Sequence, residues 1–113
     1  MKEIKAIIRP SKLPALREKL RVMPGFPGMT VSKAEGCSAP SRIHPSNVKE
    51  ELTDYTPKVR IEIVAPDEVA DSLVNTIVNT TQAGQVGDGI VWVTEVSRAV
   101  FSYKSVAGPS DDL

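Results

Sequence analysis

Apolar and polar positions along the chain alternate with two different periods. Residues 4–9 form a short β-branched run closed by Pro10, as a buried strand requires. Leu13, Leu16, Leu20 and Met23 then recur at helical spacing, with Arg17, Glu18, Lys19 and Arg21 facing away. Ser11 is placed to cap that helix, and Pro14 is tolerable in its first turn. Pro24, Gly25, Pro27 and Gly28 stop it. Residues 29–34 read as a second strand. Residues 59–64 read as a third, with Val59, Ile61 and Ile63 on one face and Arg60 and Glu62 on the other. Pro66 opens a second helix, whose apolar face holds Val69, Leu73 and Ile77 and whose start carries Asp67, Glu68 and Asp71. Residues 80–89 form a polar loop, 90–96 a fourth strand, and 99–103 a short fifth.

The order strand, helix, strand, strand, helix, strand predicts an α+β, ferredoxin-like βαββαβ domain, an antiparallel sheet with two helices on one face. One stretch does not fit a compact unit. Residues 36–57 hold Pro40, Pro45, several serines and Lys49-Glu50-Glu51. A connection of about twenty residues inside a small domain is functional or disordered. It is read here as a mobile contact loop, with Arg42, His44, Lys49 and Glu51 as its contact residues.

Composition narrows the function. With 113 residues the chain suits one domain, 1–113, with a C-terminal tail over 104–113. Aromatics make up 4%, so the core rests on Ile, Val, Leu and Ala, and stacking platforms for single-stranded nucleic acid are lacking. Net charge is zero, which argues against binding by phosphate neutralisation. Cys37 is the one cysteine, so no intramolecular disulfide can form, and a lone thiol fits a reducing compartment. With no membrane-length apolar run, a cytoplasmic protein is expected. Cys37 and His44 without a third soft ligand do not specify a metal site. No nucleophile, base and orienting group stand together, so an enzyme is not expected.

Gly84, Gly87 and Gly89 punctuate the loop that leads into the fourth strand. Two readings stand: a turn that needs positive φ, or backbone amides facing an anion. Lys58 is either a solvated edge charge or a ligand cation. Glu62 is either a cross-strand partner or a ligand contact.

Several words of the sequence, in order and at near-constant spacing, resemble one family. They are Lys5-Ala6-Ile7-Ile8-Arg9-Pro10, Leu13 with Arg17-Glu18, Gly28-Met29-Thr30-Val31, the run from Pro57 to Val64, and Gly87-Asp88-Gly89. Each alone is weak; together they resemble the PII signal-transduction (nitrogen regulatory) protein family over nearly the whole chain. The resemblance implies a homotrimer that holds an adenine nucleotide or small anion in inter-subunit clefts and regulates a transporter or metabolic enzyme through its long loop. It implies phosphate contacts from Gly87, Asp88, Gly89 and Lys58, and adenine-end contacts from Thr30, Glu62 and Val64. Departures from the pattern are equally specific. The family's lysine after Gly-Asp-Gly is Ile90 here, and its two late arginines fall at Phe101 and Tyr103. Its glutamine for magnesium-bound 2-oxoglutarate falls near Pro40, and its modified tyrosine near Glu51. The expected ligand is therefore AMP or ADP, with ATP weak or absent, no response to 2-oxoglutarate and no required cofactor. Arg9, Arg98 and Lys104 are the candidates to replace the missing cations. A ligand-free trimeric adaptor, or a metal-tolerance protein of similar fold using Cys37 and His44, are the alternatives.

Overall fold

A computed structural model of the protein describes residues 1–37, 55–85 and 87–103. The first strand, β1 (Lys2–Ile8), alternates buried Ile4, Ala6 and Ile8 with half-buried neighbours. A single 3-10 turn, Pro10–Lys12, leads into α1 (Leu13–Arg21). Ser11 does not cap this helix: it sits inside the 3-10 turn, and the capping position passes to Lys12, whose side chain makes no cap bond. Pro14 stands in the first turn of α1, where no intrahelical N–H is required. Leu16 and Leu20 are fully buried, with Leu13 and Met23 packed against the core beside them.

The remaining elements are β2 (Thr30–Gly36), β3 (Thr56–Ala65), α2 (Asp67–Thr81) and β4 (Gly89–Glu95). They complete a four-stranded sheet in the order β2-β3-β1-β4 with every pair antiparallel. This is the expected ferredoxin-like βαββαβ arrangement. α2 takes in Thr80 and Thr81, two residues of the stretch expected as loop. The hydroxyl of buried Thr81 donates to the Ile77 carbonyl at 2.8 Å, so the helix absorbs its own polar end. The expected fifth strand does not form. Residues 99–101 belong to no helix or ladder among the described residues, and a turn follows at 102–103.

Register decides the faces. Ile4 pairs with Ile63, Ala6 with Ile61 and Ile8 with Val59, so these side chains share the face covered by the helices. With Leu16, Leu20, Ala70, Leu73 and Ile77 they make the core. The opposite face carries Lys5 beside Glu62 and Trp92, and Ile7 beside Arg60 and Ile90. Two ion pairs tie the N-terminus down: Lys2 to Glu95, and the Met1 α-ammonium to Asp67 at 2.9 Å. No helix among the described residues is long and apolar enough to cross a membrane.

Candidate functional site

The antiparallel register brings the end of β1 and the starts of β3 and β4 to one end of the sheet, because Ile8 pairs with both Val59 and Gly89. Lys58, Arg9 and the glycine loop meet there. Lys58 is only 7% exposed, and its ammonium donates to the Gly87 carbonyl at 3.2 Å. A buried lysine needs a polar partner to offset its lost hydration. Its stem crosses Gly36 on β2: a Cβ at that glycine would lie 3.0 Å from Lys58 Cγ. Gly36 was not foreseen as part of this arrangement. Its pairing with Thr56, two residues before Lys58, becomes visible only once the register is known.

Gly84, Gly87 and Gly89 have φ of +75°, +95° and +128°, so the turn reading of these glycines holds. At Gly89 a side chain is also excluded by space, since a Cβ would run into the Ile7 carbonyl. Asp88 orders the loop from within. One carboxylate oxygen accepts the amides of Ala83 at 2.6 Å and Gln85 at 3.2 Å, and the other lies 3.8 Å from Arg9 Nε. Burial alone would raise the Asp88 carboxyl. The amides of Ala83, Gln85 and Gly84, with Arg9, outweigh it and hold the group below the usual carboxylate range. Arg9, a candidate replacement cation, is thus engaged with Asp88.

Thr30, Glu62 and Val64 come together elsewhere. They line an open cavity of about 560 Å³ with Glu3, Met29 and Phe101. Thr30 and Glu62 are cross-strand partners, as are Val64 and Glu3. Glu3 was not anticipated as a lining group and follows from the strand register, whereas Phe101, read from sequence as the place of a missing ligand cation in a fifth strand, arrives on a segment outside the sheet.

The foreseen residues therefore fall into two groups on one chain. Lys58 and Glu62 lie on the same strand four residues apart, roughly 13 Å along it. Arg42, His44, Lys49 and Glu51 lie outside the described residues, as do Pro40, Lys104 and most of the 36–57 loop. Cys37 is exposed, and among the described residues no three His, Cys, Asp or Glu side chains gather into a metal-binding group.

The family model described as nitrogen regulatory protein P-II matches residues 1–105. Nitrogen regulatory protein P-II 1 of Escherichia coli is 42% identical over 102 residues, spanning 88% of this chain and 89% of that protein. Nitrogen regulatory protein P-II of Klebsiella oxytoca is 41% identical, and that of Haemophilus influenzae 38%, each over the same shares of the two chains.

Proposed function

The chain belongs to the nitrogen regulatory protein P-II family of signal-transduction proteins, which are regulators rather than catalysts, and on that premise we propose that it senses a small adenine nucleotide or anion in clefts between the subunits of a homotrimer. Through residues 36–57 it then acts on a membrane transporter or a metabolic enzyme. Lys58 carries this reading: a buried cation whose ammonium donates to the Gly87 carbonyl of the glycine loop, beside backbone that Asp88 has already ordered. Lys58 with Gly87, Asp88 and Gly89 supplies the phosphate end, and the cavity at Thr30, Glu62 and Val64 supplies the adenine end. In this reading the two ends of one site come from neighbouring subunits of the trimer.

Ligand choice follows from Ile90, Phe101 and Tyr103, where the family pattern has cations. A hydrogen bond to a charged group contributes about 1.5–3 kcal/mol. Three lost cations then cost a triphosphate on the order of 4–9 kcal/mol, about three orders of magnitude or more in affinity. AMP and ADP present fewer charges and lose less. Calorimetry with AMP, ADP and ATP, with and without magnesium and 2-oxoglutarate, tests this. ATP should bind no tighter than AMP or ADP, 2-oxoglutarate should have no effect, and Lys58→Ala should abolish nucleotide binding. Micromolar ATP binding that tightens with magnesium and 2-oxoglutarate would overturn the ligand choice.

A further inference from the structure

A second cavity, of about 300 Å³, lies on the other side of Phe101. The turn after α1 supplies Gly25 and Phe26, the start of α2 supplies Glu68 and Val69, and Phe101 and Tyr103 close it. Three of the five aromatic residues in the chain thus line one small space. The rings of Phe101 and Tyr103 have centroids 6.0 Å apart and are inclined at 37°, forming an open wedge. Gly25 makes the enclosure possible: its φ is +79°, and a Cβ there would lie 2.8 Å from Val69 Cγ1.

The charge in this cavity has one sign. The described lining contains Glu68 and no Lys, Arg or His. The neighbouring acid, Asp67, is neutralised by the Met1 α-ammonium at 2.9 Å. Glu68 makes no ion pair among the described residues. A ring presents its negative face to a cation within about 6 Å of the centroid, so two rings 6.0 Å apart can both reach one charged centre. The volume is at the lower end for a small-molecule pocket. We propose that the cavity bounded by Phe26, Phe101, Tyr103 and Glu68 is a binding site for a small organic cation of the quaternary or methylated ammonium class. The rings take the alkylated nitrogen, and Glu68 supplies the counter-charge at the rim. This site shares Phe101 with the cavity proposed for the adenine end, and Phe101 and Tyr103 stand where the family pattern has nucleotide-binding cations. Phe26 and Glu68, however, line this cavity and not the other, and Lys58 and Glu62 lie outside it.

Calorimetry on the full chain with choline as probe tests the proposal. The control is its uncharged isostere, with a quaternary carbon in place of the nitrogen. Choline should bind in the millimolar range or tighter, and at least about fivefold more tightly than the isostere. Tyr103→Leu, which keeps an apolar side chain but removes the ring, and Glu68→Gln should each weaken choline about two- to fivefold with the circular dichroism spectrum unchanged. Lys58→Ala should leave choline affinity as it is, so this site and the nucleotide site fail separately. Equal binding of choline and isostere, no choline binding at millimolar concentration, or wild-type affinity in both cavity variants would each overturn the assignment.

Discussion

Asp88 is a carboxylate used as a backbone acceptor. Two amides converge on one of its oxygens and a guanidinium stands near the other. Asn at this position keeps one acceptor but loses the charge that strengthens each bond. Asp88→Asn should therefore cost about 1–3 kcal/mol near neutral pH. The carboxyl is held below its ordinary value, so its contribution is present above the unfolded pKa near 3.9 and is lost as pH falls through the lower folded value. In urea titrations from about pH 7 down to about pH 3, the gap between wild type and variant should narrow toward acid. A gap that stays constant over that range would show that Asp88 acts by shape and not by charge. The glycines of the same loop make a second prediction. Gly84 has positive φ but open space around it, whereas Gly89 has positive φ and the Ile7 carbonyl where a Cβ would go. Gly84→Ala should cost about 1 kcal/mol, the lower end of the range for a strained backbone residue. Gly89→Ala adds a collision with backbone in a paired strand, so its loss of melting temperature should be clearly the larger of the two. Equal losses would mean that β4 yields at its first residue.

At the scale of elements, what could be read from sequence was whatever one segment determines alone. The alternation of Ile61 and Ile63 with Arg60 and Glu62 gave β3 its two faces, and Leu16 with Leu20 gave α1 its buried stripe. Failures came where a neighbour decided. Ser11 lost the cap because Pro10 starts a 3-10 turn that precedes the helix proper. Residues 99–103 carry the apolar content of a strand, but Phe101 lies against two cavities instead of in a ladder. The candidate site divides in the same way. Gly87, Asp88 and Gly89 are adjacent in sequence and were legible; the Lys58 contact with Gly87 and its passage over Gly36 depend on register between distant strands. The buried stripe of α1 carries its own test. Leu20 is fully buried and Val22, two residues on, is 74% exposed. Leu20→Ala should cost about 2–5 kcal/mol through lost burial and a residual cavity. Val22→Ala should stay within about 0.5 kcal/mol. Similar losses in chemical denaturation would put the helix in the wrong rotation.

For the whole molecule, the sheet has one face under helices and one without. On the uncovered face Ile90 is 58% exposed and Trp92 37%, with Ile7 half-buried between them and the centre of the sheet. Apolar groups of that size on a pleated surface are worth about 25 cal/mol for each Å² removed from water, so this face is where a second copy would bury apolar area. Light scattering should give about three times the 12.2 kDa of one chain. Replacing both Ile90 and Trp92 by Asp places two charges where a second sheet would pack, and should yield a folded monomer with unchanged far-ultraviolet dichroism. In the proposed reading association and ligand binding are linked. On that reading the nucleotide takes Lys58 and the glycine loop from one subunit and the cavity at Glu62 from its neighbour, so its site exists only in the trimer. The monomeric double variant should therefore lose nucleotide binding together with the trimer, and so should a monomer made by Trp92→Asp alone, which places no charge beside the proposed phosphate end at residues 87–89. Conversely, nucleotide bound across subunits stabilises the trimer by mass action, so wild-type melting temperature should rise with added ADP and that of the double variant should not. A monomer that still binds ADP with wild-type affinity would place the whole site within one chain.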